Sequence, residues 1–234
     1  MTDGAVTTEA ATSRTQIAAT SQIAVLAGLA ALGTLATNIL LPSLPQMAAA
    51  LNVSSAAVTS AITVFLVVFA LGQLVVGPIS DRYGRRWPVL AGFAVFLVGS
   101  IWCATSSTLT NLLIGRVIQA AGACSTSVLS RAIARDLFSG AALGRAMALI
   151  MIAMAAAPGF SPLLGGALDQ LWGWRSEFIF VGLFATAGAI AYGARSSAKL
   201  IVRFASRFIQ LRLPEAIATF CATAASLFPR RPSA

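Results

Sequence analysis

Between Arg14 and Asp81 the chain runs for 66 consecutive residues, 15 to 80, without an Asp, Glu, Lys or Arg. A helix of about 20 apolar residues crosses a hydrocarbon core once. The run therefore has room for two crossings joined by a neutral turn. A soluble domain of this length needs a polar exterior, and 58% apolar residues against 10% charged ones do not supply it. The expected class is an all-α integral membrane protein.

Pro42, Pro45 and the polar "LNVSSAAV" mark the neutral turn, with Ser54 or Ser55 placed to cap the helix that follows. Six transmembrane helices are predicted, at about 22–41, 57–79, 87–105, 109–130, 146–168 and 178–194. Residues 1–21 form a polar cytoplasmic lead, its first 16 residues disordered. The first apolar run is too long for the core of a secretory signal. Residues 195–234 form a basic tail.

Arg and Lys fall mainly on one side of these spans: Arg14, the group Arg82, Arg85 and Arg86, then Arg131, Arg135 and Arg145, and everything basic from Arg195 onward. The opposite connections contribute only Arg175. By the positive-inside rule both termini are cytoplasmic. That bias accounts for the net charge of +9, so the basicity is no argument for a nucleic-acid partner. The chain has no histidine, its three cysteines are scattered through apolar segments, and no carboxylate lies within the six predicted spans. Zinc, haem and Ser-His chemistry are thereby largely excluded, since each usually needs an imidazole or clustered acids. The expectation is no metal, no cofactor and no enzyme activity, with the lipid bilayer as the first partner.

The motifs lie at the ends and in the middle of the spans. "GPISDRYGRR" joins the second span to the third; a stop signal explains Arg82, Arg85 and Arg86 but needs neither Asp81 nor Gly77 and Gly84. In the fourth span, "LIGRVIQAAGACS" puts Arg116 and Gln119 one turn apart in an apolar helix. An unpaired guanidinium there costs several kcal/mol, so Arg116 should face a cavity or a polar partner, or else snorkel to the surface. The fifth span carries "APGFSPLLGGAL", where Pro162 removes a backbone donor and Gly165 and Gly166 remove side-chain bulk; close packing and a direct functional role are both open.

The spacing G-x-x-x-D-R-x-G-R-R between spans two and three resembles the signature loop of the major facilitator superfamily. The R-x-x-Q-x-x-G of Arg116, Gln119 and Gly122 resembles a second motif of that family, and Pro162, Gly165 and Gly166 resemble its antiporter motif, with Ser161 where a first Gly is usual. "LLPSLPQMAAALNVS", "RAIARDLF" and "WGWRSEFIF" are most similar to the bicyclomycin-resistance (Bcr/CflA-type) branch of drug:proton antiporters. The resemblance, from about Ile23 to Ala194, implies one half of a major facilitator fold in a bacterial-type cytoplasmic membrane. It implies that Gly77, Asp81, Arg82, Gly84, Arg85 and Arg86 form a cytoplasmic gating loop. It also implies that Asn38, Arg116 and Gln119 line the route of a drug-like or small-metabolite substrate.

Two features depart from that pattern. The family's first span usually carries an Asp two residues before Leu-Pro, and here "NILLP" places Asn38 there, which cannot titrate. Proton coupling through this half would then fall to Asp81, Asp136 or Glu177 at the margins, or not occur. Asp169, Arg175 and Glu177 otherwise read as boundary residues, with Trp172 and Trp174 beside them as an interfacial belt. The second departure is that the resemblance covers one six-helix half, so exchange of substrate calls for a second half-transporter or a homodimer. The alternative is a non-transporting remnant or membrane interaction subunit. After Ala194 seven of the sixteen basic residues fall in forty positions, with Arg195, Lys199, Arg203 and Arg207 at helical spacing. That tail reads either as a basic amphipathic helix for the anionic leaflet or as sequence translated out of frame.

Overall fold

The apolar runs fold into helices throughout the computed structural model, which describes residues 3–194, with side chains from residue 20 onward. The helices are α1 (Asp3–Asn38), α2 (Leu44–Leu51), α3 (Ser55–Tyr83), α4 (Arg86–Ala104), α5 (Leu109–Leu137), α6 (Gly140–Trp172) and α7 (Arg175–Ala194). No strand occurs among the described residues. Six segments are long and apolar enough to cross a membrane: Thr20–Asn38 within α1, then α3, α4, α5, α6 and α7. The helices up to Ala191 belong to one unit. The basic amphipathic helix expected from Arg195 lies outside the described residues.

Helix boundaries differ from the sequence expectation in ways that matter for the motifs. The lead is helical from Asp3 rather than disordered: after Gly4 there is no Gly or Pro until Gly28, and Ala recurs throughout. The neutral turn contains the short helix α2, started by Pro45 in its first turn and ended by Asn52, whose φ of 53° lets its N–H reach the carbonyls of Ala48 and Ala49. Ser54 caps α3, its Oγ accepting from the Ala57 N–H at 3.2 Å. Ser54→Ala should therefore lower stability by about 1 kcal/mol, read as a lower melting midpoint in detergent, with Ser55→Ala nearly silent. α3 runs on through Pro78 to Tyr83, so Asp81 and Arg82 stand in its last turn and the connection to α4 is only Gly84 and Arg85. Gly84 has φ +81°, a conformation other residues rarely adopt, whereas Gly77 is helical with nothing within 4 Å of where a Cβ would stand.

α5 is the central helix, packing on α4, α3 and α1, while α1 also packs on α6. The α4–α5 contact brings backbone against backbone. Gly92 and Gly99 on α4 face Gly115 and Gly122 on α5, each pair seven residues, about two turns, apart. A Cβ on Gly99 would stand 2.7 Å from Gln119 Cα, and one on Gly122 would stand 2.5 Å from Gly92 O. Small residues are the usual means of close helix approach in lipid, where no hydrophobic effect draws helices together. α3 and α6 are the least buried spans.

Candidate functional site

Arg116 is drawn fully into the centre of the bundle, with no exposed surface. Snorkelling is thereby replaced by a set of partners from two other helices and its own. Its Nη1 donates to the Ala36 carbonyl at 3.1 Å and to Gln119 Oε1 at 2.6 Å; its Nε donates to the Ala61 carbonyl at 3.3 Å. The guanidinium lies 4.2 Å above the Phe65 ring. Ala36 belongs to the last turn of α1, where helical carbonyls lack an intrahelical partner, so it is a ready acceptor. Gln119 is also fully buried and passes the network on, its Nε2 donating to Ser100 Oγ on α4 at 2.8 Å. The packing of Gly99 against Gln119 is what brings Ser100 within reach.

The other sequence candidates fall into place around this network. Asn38 is partly exposed, and its Nδ2 donates to the Thr34 carbonyl of its own helix at 2.8 Å. It does not share a hydrogen bond with Arg116. In α6, Gly165 lets the helix settle directly on the Ile39 carbonyl, where a Cβ would collide with backbone, and Gly166 lies near Pro42 at ordinary contact distance. Pro158 and Pro162 both lie inside α6, where they leave the carbonyls of Met154 and Pro158 without their usual i+4 donors, and the hydroxyl of buried Ser161 donates to the Ala157 carbonyl.

At the α3–α4 end Arg85 is the tie. It donates from Nη1 to Asp81 at 2.7 Å and to Ser80 Oγ at 2.7 Å, and from Nε to Asp136 in the last turn of α5 at 3.0 Å. Partial desolvation opposes its charge, but Asp136 and then Asp81 outweigh that and hold the guanidinium above its ordinary pKa. The partners are exposed, so Asp136→Asn should shift the melting midpoint of the chain by no more than about 1 kcal/mol equivalent. A scanning melt of wild type and variant side by side checks this.

The boundary residues at the opposite end are where the sequence reading needs correction. Glu177 is fully buried and Asp169 is 7% exposed, and both lie within membrane-crossing segments, α7 and α6. Ser43, between α1 and α2, donates to Glu177 Oε1. Trp174 is buried, packed edge-on against Phe178 and covered by Arg175, and only Trp172 is exposed. Arg175 donates to the Ser106 carbonyl at 3.0 Å. What drew Glu177 inward, the Ser43 hydroxyl from a distant segment, has no local signature. The seven-residue glycine spacing on both α4 and α5 was a visible signal for the close crossing.

A bundle of apolar helices built around a buried arginine, with glycines at its crossings and a charged clamp at one end, defines a membrane protein of the transporter class. The profile of the Major Facilitator Superfamily matches residues 26–228, and the chain belongs to that family, one of transporters and not of enzymes. The match runs beyond Ala194, where the motif resemblance was expected to stop. Among curated relatives, Multidrug resistance protein D of Escherichia coli (strain K12) is 36% identical over 153 residues, covering 65% of this chain and 39% of that one. An MFS-type transporter of Bacillus subtilis (strain 168), YdgK, is 42% identical over 140 residues, covering 60% of this chain and 35% of its own length. The Chloramphenicol resistance protein of Pseudomonas aeruginosa is 35% identical over 161 residues, 68% of this chain and 38% of that protein. The chain thus matches a little over a third of these relatives. A crystal structure of the peptide transporter POT in complex with sulfate superposes with a TM-score of 0.67 at 12% identity, over 88% of this chain and 45% of that one. That likeness is one of fold.

Proposed function

We propose that this chain acts as one half of a secondary active transporter that exports drug-like or small-metabolite molecules by alternating access. The observation that carries the reading is the Arg116 network: a buried cation bonded to α1, α3 and α5, and through Gln119 to α4, is a polar centre on which helix positions depend. Its support is the drug-resistance names of the relatives. In this reading Arg116, Gln119 and Asn38 border the substrate route, which opens on movement of the helices. Asp81, Arg82 and Arg85, with Gly77, Gly84 and Arg86, gate the cytoplasmic side, and Pro162, Gly165 and Gly166 keep α6 sealed on α1. Both termini are cytoplasmic, in a bacterial-type inner membrane.

Substrate passage requires a second half, from a separate chain or a second copy. The lightly buried α3 and α6 present Leu71, Leu74, Phe160 and Leu163 for it. The test is efflux of a fluorescent drug from cells expressing the chain, with mass determination in nanodiscs. Efflux by wild type that is lost in Arg116→Ala, together with a dimeric mass or rescue by a co-expressed second half, is the expected result. A strict monomer without efflux in either setting would overturn it in favour of a membrane interaction subunit.

A further inference from the structure

Between α4 and α7 lies a cleft of about 390 Å³, within the roughly 300–1,000 Å³ range of sites that hold small molecules. Its walls are one face of each helix, from Leu97 to Thr105 on α4 and from Phe178 to Thr186 on α7. Each wall is about 12 Å long at the helical rise. Gly182 contributes no side chain to the cleft; a Cβ there would stand 3.4 Å from Leu97 and 3.5 Å from Ser100. Ile101, Ile179 and Leu183 belong to the walls and are exposed. Both helices are membrane-crossing segments, so the medium that meets the cleft is lipid. Three hydroxyls line it, and each donates to the backbone of its own helix. Ser100 Oγ donates to the Phe96 carbonyl at 2.9 Å, Thr105 Oγ1 to the Ile101 carbonyl at 3.1 Å and Thr186 Oγ1 to the Gly182 carbonyl at 2.9 Å. No side-chain donor in the walls is left for a polar ligand, so the part of an occupant that fills the cleft is hydrocarbon.

One end of the cleft carries a charge. Thr105 and Phe178 stand at that end, and Arg175 is tied beside both. Its Nη2 donates at 3.0 Å to the carbonyl of Ser106, the residue after Thr105, and its guanidinium lies 4.5 Å above the ring of Trp174, which packs edge-on against Phe178. Arg175 is exposed and forms no ion pair among the described residues. The acids nearest to it in sequence, Asp169 and Glu177, are buried, and the α1–α3 and α4–α5 connections carry no charge. Arg175 is thus the one exposed charge at this end of the bundle among the described residues. A guanidinium has five N–H donors, and the Ser106 carbonyl takes one. We propose that the α4–α7 cleft binds an anionic phospholipid of the surrounding bilayer, with one acyl chain lying between the helices and the phosphate paired with Arg175. Hydrocarbon walls suit the chain, and a guanidinium at their end suits the phosphate oxygens. A zwitterionic headgroup fits less well, because its ammonium meets Arg175 and no exposed carboxylate. The site lies on α4 and α7 rather than on the α3 and α6 surfaces offered to a second half, so it stands whether or not the chain transports.

The experiment is native mass spectrometry of the full chain released from nanodiscs that contain phosphatidylglycerol and phosphatidylcholine in equal amounts. Wild type should retain one phosphatidylglycerol in preference to phosphatidylcholine. Arg175→Gln should lower that preference about tenfold, the loss of one charge-assisted pair, and Arg175→Lys should keep most of it. Ala104→Phe, which fills the cleft from the α4 wall, should lower retention of both lipids. Equal retention of the two lipids by wild type, or a preference unchanged in Arg175→Gln, would overturn the proposal. So would retention unchanged in Ala104→Phe or displacement of the lipid by inorganic phosphate, either of which would mark a headgroup contact without the cleft. A dimeric mass that appears as lipid is lost would place a second copy there instead. Should Ala104→Phe fail to remain monodisperse, Thr186→Phe at the opposite end of the cleft takes its place, and the Arg175 variants decide the matter in either case.

Discussion

Gly122→Leu is expected to prevent α4 and α5 from docking. A Cβ at this position already meets Phe96 backbone and stands 2.5 Å from Gly92 O, and neither can move as a flexible side chain would. Overpacking a core costs about 1–3 kcal/mol when side chains can adjust, so a backbone collision belongs at the upper end or beyond. Gly122→Ala gives the graded form of the same effect. Gly144→Ala is the counterpart: it is exposed within α6 with nothing within 4 Å, and the change should leave stability equal or raise it by up to about 1 kcal/mol. Reaction of a thiol dye with Cys103 and Cys124 reads this directly, since both are free and buried in the folded bundle. Early labelling in Gly122→Leu and Gly122→Ala, but not in Gly144→Ala, is the expected pattern. Equal labelling in all three would show that the crossing is not a backbone contact.

Arg116→Ala should be the most damaging change outside the glycines. It leaves Gln119 Oε1 without its donor, frees the carbonyls of Ala36 and Ala61 and opens a cavity beside Phe65. Breaking a buried charged interaction by removing one partner typically costs about 3–5 kcal/mol. Arg116→Lys should fall between wild type and alanine, because a compact ammonium keeps the charge but cannot reach acceptors on α1, α3 and Gln119 together. Thermal melts of the three proteins in one detergent check the order. A lysine variant as unstable as alanine would assign the stability to guanidinium geometry alone, and one equal to wild type would assign it to charge alone.

The polar network was half legible. Arg116 and Gln119 stood out because charge and amide are rare in such a helix, and their spacing placed them on one face. Ser100 did not stand out, since a serine in a membrane helix most often bonds its own backbone, as Ser100 also does to Phe96. Within this half of the fold Asp81 is paired with Arg85, only four residues on. From the sequence Glu177 reads as a boundary residue at the margin of its span, because an acid beside Trp and Arg at a span's edge is ordinarily solvated. Its burial brings it to Ser43, 134 positions away, whose hydroxyl donates to it.

What the sequence by itself determined is the class and the skeleton: an uncharged run too long for one crossing, six apolar segments, and charged connections between them allow only helices that meet their backbone needs within the membrane. Those properties are local sums over neighbouring residues, so they are present before any tertiary contact forms. The family motifs add where the arginine, the clamp and the glycines lie along the chain. Only the tertiary structure decided which groups meet. Arg116 gains its acceptors because α1 ends beside it, Glu177 is buried because Ser43 of a distant segment donates to it, and Gly122 is indispensable because α4 crosses there. In a bundle whose helices are individually complete, hydrogen-bonded along their length, such meetings are set by the crossings, and a crossing is a property of two surfaces rather than of either sequence segment.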